Sequence, residues 1–74
     1  MEIVKLNTFK AYEKVTGNEH IIEILRRTRG SAAPYIIMLD GAFNADAESR
    51  KDAMLEVESI LDFFDWSKTN PNYA

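Results

Sequence analysis

The Asp-Gly pair at positions 40 and 41 constrains the fold of this chain more than any other feature. In "PYIIMLDGAFNADAES" (residues 34–49) it separates two apolar runs. Asp followed by Gly at such a junction is among the strongest short-range hairpin signals, because both central residues of a type I′ turn take positive φ. If Leu39 pairs with Ala42, then Met38 faces Phe43 and Ile36 faces Ala45 on one side of a sheet. Tyr35, Ile37 and Leu39 then point to the other side. A chain that turns here is committed to antiparallel β-structure.

The next segment supplies a cover for that sheet. Ser49, with Asp52 three residues later, has the capping-box spacing, Asp standing in for the usual Glu or Gln. Ala53, Met54, Val57, Ile60, Leu61 and Phe64 follow at helical spacing, while Glu48, Asp52, Glu56, Glu58, Asp62 and Asp65 occupy much of the remainder. The helix is expected to lie across the face carrying Ile36, Met38 and Phe43. On that geometry Met38 and Phe43 pack against Val57, Ile60 and Phe64.

Upstream, "EIVKLNTFKAYEKV" (residues 2–15) is rich in β-branched and aromatic residues in approximate alternation, and predicts a strand. Gly17 and Asn18 suit a tight hairpin. "EHIIEILRRTRG" (residues 19–30) admits two readings. As a helix it has Asn18 as N-cap, arginines in the last turn and Gly30 as terminator. As a strand it has four aliphatic residues within five, flanked by two turn signals. The strand is favoured, because β-branched density and the flanking loops then make a simple meander. The predicted fold is α+β: three or four antiparallel strands followed by one long amphipathic helix. Residues 1–66 form the domain, and residues 67–74, "SKTNPNYA", a flexible C-terminal tail.

Composition narrows the function. Cysteine is absent, which excludes disulfides, thiolate chemistry and cysteine-based zinc sites. Seventy-four residues without such staples make a marginal core, a shortage that oligomerisation often relieves. No stretch is apolar and long enough to cross a membrane as a helix, and "MEIVKLNTF" does not resemble a signal peptide, so a cytoplasmic location is expected. Residues 1–33 hold six basic and four acidic side chains, and residues 34–74 hold three and eight. Such a bipolar, net acidic chain is unsuited to general nucleic-acid binding.

Candidate sites are few. His20 is the single histidine; with no ligand or triad partner in sight it reads as a surface or sheet-edge residue. No nucleophile–base set or metal cluster is visible, so the chain is expected to be no enzyme and to need no cofactor. Arg26, Arg27 and Arg29, before Gly30 and Ser31, form the best candidate anion site, with Arg50 and Lys51 as possible additions; guanidinium groups bind phosphate bidentately. The acidic helix face, with Glu56 and Asp62, is a candidate surface for a basic protein partner. The most informative feature is the sheet itself. Tyr35, Ile37 and Leu39 on one parity and Ile36 and Met38 on the other are all apolar, and one helix covers one face only. A homo-oligomer with Ile37 or Leu39 at the interface is therefore expected.

The order of strands, the hairpin "YIIMLDGAF" and then "ADAESRKDAMLEVESIL" resembles small phage-encoded anti-defence proteins, anti-CRISPR proteins among them. These share an antiparallel meander, one helix, an acidic surface and no catalytic motif. The likeness is architectural and covers roughly residues 20–64. The strand–hairpin–helix half of the HicB antitoxins is similar too, although their glycine-rich loop before the helix is missing here. The resemblance implies a phage-type inhibitor that occupies the surface of a partner such as a host defence protein, with Tyr35, Ile37, Leu39, Glu56 and Asp62 as contact residues of the residue-level reading. The alternative is an oligomeric binder of a nucleotide or other phosphate ligand through the arginine loop.

Overall fold

The computed structural model describes residues 2–30 and 32–70. Four antiparallel strands, β1 (Ile3–Glu13), β2 (Glu19–Arg27), β3 (Tyr35–Leu39) and β4 (Ala42–Ala47), form a meander. A 15-residue helix α1 (Arg50–Phe64) and a short strand β5 (Trp66–Ser67) complete the fold. The sheet order is β4-β3-β2-β1-β5. The helix therefore leaves one edge of the sheet and delivers the chain to the opposite edge. Residues 19–27 are strand, as their β-branched density favours. Ser67 belongs to β5, so the expected tail begins later than residue 67; the expectation for residues 71–74 lies outside the described residues.

The turns show where local chemistry decides. Asp40 and Gly41 have φ of +50° and +83°, the paired positive values of a type I′ turn. The first hairpin differs from expectation. Its loop occupies residues 14–18, closed by the Glu13 N–H donating to the Asn18 carbonyl and the Gly17 N–H to the Glu13 carbonyl, both at 2.9 Å. Gly17, at φ +76°, takes the left-handed position there. Ser49 caps α1 with its hydroxyl accepting from the Asp52 N–H at 3.1 Å, and Asp65, at φ +56°, ends it.

The helix covers the face opposite to the one expected. Leu39 does pair with Ala42 and Met38 with Phe43, but Ile37 then pairs with Ala45, leaving Asn44 as an extra residue in β4. This bulge turns Ala45 and Ala47 onto the face of Tyr35, Ile37 and Leu39. The cause is packing. Small side chains let a helix approach a sheet closely, and Ala11 and Ala47 of the strands are buried in one core with Ala53 of α1. Ile22, Ile24 and Ile37 fill that layer with Val57, Ile60 and Leu61. Met38 and Phe43 sit on the outer face, away from α1. Phe64 lies at the end of the helix and is 44% exposed, so it is no part of the core.

Candidate functional site

Three surfaces bear on function. The first is the outer face of the sheet, which nothing covers among the described residues. Cross-strand pairing places Ile3, Lys5, Thr8, Lys10 and Tyr12 of β1 beside Ile21, Glu23, Leu25 and Arg27 of β2, then Ile36 and Met38 of β3, then Phe43 and Asp46 of β4. Ile36 is nonetheless buried, sheltered by its cross-strand neighbours, while Phe43 is 60% exposed and Ile3 49%. Lys5 pairs with Glu23 at 2.7 Å and Lys10 with Glu19 at 3.7 Å, so charge lies along β1 and reaches the central strand β2 beside the apolar residues. The doubly apolar sheet is thus present. Its free parity, however, is that of Ile36, Met38 and Phe43. Ile37 is fully buried beneath α1, and Tyr35 and Leu39 are half-buried on the helix side, so none of the three forms part of this outer face.

The second surface surrounds His20. The turn between β1 and β2 brings Glu13 alongside it, and the turn after β3 brings Asp40. The His20 Nε2 and Nδ1 atoms lie 2.7 Å from Glu13 Oε2 and Asp40 Oδ2 respectively. Two ionised carboxylates accept only, so the geometry favours the protonated ring, the imidazolium, in which both nitrogens donate. The Asp40 and Glu13 hydrogen bonds raise the His20 pKa above its ordinary 6.5, outweighing partial desolvation. The bond from His20, then that from Thr16, lowers the Glu13 pKa. Desolvation acts on Asp40 in the opposite direction. The bonds from His20 and the Ile21 N–H, with the attraction of the imidazolium, together overcome it, and its pKa falls. Trp66 stacks on the ring at 3.9 Å between centroids and 7° between planes, and Phe64 stacks on Trp66 at 4.4 Å. An imidazolium with both nitrogens engaged has no lone pair for accepting a proton. This arrangement joins the two turns and β5, and it holds no open metal position. Among the described residues, no His, Asp and Glu cluster is arranged to bind a metal ion.

The third surface is formed by the charged residues of the sequence reading, which the fold disperses. Arg26 and Arg27 are neighbours on one strand and point to opposite faces. Arg26 lies over the Tyr35 ring at 5.7 Å, and Arg27 donates to the Ala33 carbonyl at 2.9 Å, bracing the loop between β2 and β3. Arg29 is exposed in that loop, and Ser31 lies outside the described residues. Arg50 reaches Asn7 Oδ1 at 3.3 Å, and Lys51 is exposed on the first turn of α1. On the helix, Asp62 is exposed and Glu56 half-buried, and the same side presents Leu55 and Phe63, the latter 82% exposed.

The His20 cluster is what residue-by-residue reading missed. Its signal was available in the register: Glu13 and His20 flank the first hairpin loop, and Asp40 lies in a turn at the same end of the sheet. No family model matches the sequence, and no curated protein or solved structure is a match for it.

Proposed function

We propose that this chain is a non-enzymatic binding protein, a phage-type inhibitor that works by covering the surface of a partner protein with the outer face of its sheet. The observation that carries this reading is a five-stranded sheet with a helix on one face only and apolar side chains on the other. Exposed apolar area of this kind, with charge beside it, is what interaction surfaces present. The acidic side of α1 adds a long-range attraction for a basic partner. The resemblance to anti-defence proteins supplies the biological setting. The nucleotide-binding alternative is weaker, because the arginines it needs diverge or are engaged with Tyr35 and Ala33.

The test is a plating assay. Bacteria with active CRISPR or restriction immunity are challenged with a targeted phage while expressing the chain. Plaque formation should rise by orders of magnitude with the natural chain, and fall back when Met38 and Phe43 are both changed to lysine. Those positions are outward-facing, so the variant should keep its circular dichroism spectrum. Full protection of the host in every system tried, or a lysine variant as active as the parent, would count against the proposal.

A further inference from the structure

The outer face of the sheet carries a charge pattern that is complementary to itself. Two cross-strand rows span all four meander strands there. One runs Lys5, Leu25, Ile36, Asp46, and the next runs Thr8, Glu23, Met38, Phe43. The first row has a cation at its β1 end, an anion at its β4 end and two apolar side chains between. Lys5 and Asp46 are both exposed. Lys5 meets Glu23 at 2.7 Å, and Asp46 forms no ion pair among the described residues.

The strand order turns this pattern into a fit. A second sheet, rotated half a turn about an axis parallel to the strands and laid face to face, keeps each row at its own level and reverses it. With the axis between β2 and β3, Lys5 stands over Asp46 of the second copy and Leu25 over its Ile36. In the next row Phe43 covers Thr8, and Met38 covers Glu23, whose carboxylate is already turned toward Lys5. The other two-fold arrangement, with its axis along the rows, lays β1 over β1 and sets Lys5 and Lys10 against their like. A partner surface of one sign is attracted to one end of the first row and repelled by the other. Residues 71–74, "PNYA", hold no charged side chain to answer either end.

We propose that the chain self-associates as a two-fold dimer through this face, β1 of each copy lying over β4 of the other. Leu25, Ile36, Met38 and Phe43 exclude water at the centre. The two Lys5–Asp46 pairs at the rim fix the orientation, since rim charges give specificity more than affinity. The interface has the parity of Leu25 and Ile36, opposite to the Ile37 and Leu39 parity expected from the sequence, which α1 has taken. Dimerisation covers apolar area that a chain of this size, with one helix, leaves exposed. The face is only four strands wide, at about 4.8 Å per strand, so the dimer is weak and yields to a partner protein that competes for it.

Sedimentation equilibrium of the full chain, from about 10 μM to about 1 mM, tests this. The natural chain should pass from monomer to dimer across that range. Lys5→Asp and Asp46→Lys should each weaken association about tenfold or more, because each sets like charges together at two symmetric places. Mixing the two variants should restore a dimer containing one chain of each, since both rim pairs then unite opposite charges. The chain carrying both changes should associate as the parent does. Asp46→Lys disturbs no ion pair within the described chain, so it decides the matter even where Lys5→Asp, which leaves Glu23 without its lysine, fails to fold; amide spectra check both. A monomer at every concentration overturns the proposal. So does a dimer as tight in Asp46→Lys as in the parent, or a pair of folded variants that gains nothing from mixing. A Met38 methyl signal that ignores concentration but moves on removing residues 71–74 makes the chain's own end the occupant, and also overturns it. No partner protein enters the measurement, so this inference and the inhibitor reading fail separately.

Discussion

Ile37→Ala is expected to cost about 2–5 kcal/mol of stability, and Phe64→Ala clearly less, because Phe64 stays 44% exposed in the folded chain. Ile37 is completely buried on a central strand, paired with Ile24 on one side and Ala45 on the other, with the helix above. Removing three of its carbons leaves a cavity in the layer that every element shares. A domain of this length has only about 5–15 kcal/mol in total. Phe64 lies beyond the sheet, 44% exposed, against Trp66. Urea denaturation of both variants measures the difference. A Phe64 variant less stable than the Ile37 variant would mean that the helix lies on the other face.

Much of this fold was legible in the residues. The Asp-Gly turn, the Ser49 cap and the helical stripe are local signals, each satisfied by side chains within a few positions of one another. The strand at residues 19–27 was legible through its isoleucines, although terminal arginines and Gly30 also fit a helix. The side of the sheet beneath α1 was not legible. Alternation identifies two faces without ranking them, and here both are apolar. The ranking came from Asn44, whose bulge moves Ala45 and Ala47 by one position and places the smaller residues under the helix. Larger side chains, Met38 and Phe43, were thereby left outside, where hydrophobicity alone would have put them in.

Sites that depend on long-range register were legible least. Arg26, Arg27 and Arg29 are close in sequence, yet a strand sends successive side chains to opposite faces, so proximity in the chain makes no cluster. Glu13, His20 and Asp40 are spread over three turns and strands, yet the meander stacks them at one end. The nearer group lost its coherence on folding and the scattered one gained it.

The His20 cluster makes a prediction about pH that is specific in sign. A histidine whose folded pKa is raised contributes stability that is complete below its unfolded value of 6.5 and is lost as pH climbs through the folded value. Glu13 and Asp40, whose folded pKa values are lowered, contribute stability above their unfolded values of 4.5 and 3.8, lost as pH falls through the folded ones. The joint contribution is therefore greatest between about pH 4.5 and 6.5 and declines on both sides. Other groups near the ring are few: Trp66 and Phe64 are neutral, and Lys14 and Asp65 pair with each other at 2.8 Å beside them. His20→Gln should remove the bell-shaped part, so the difference in melting temperature between parent and variant should peak inside that window and shrink toward pH 8. Loss of the ring stack should leave a pH-independent remainder of about 0.5–1.5 kcal/mol. Proton NMR of the single imidazole supplies the direct reading, with a titration midpoint above 6.5 expected in the parent. A midpoint at or below that value, or a stability difference that keeps growing as the solution turns alkaline, would show that the two carboxylates do not hold the ring charged.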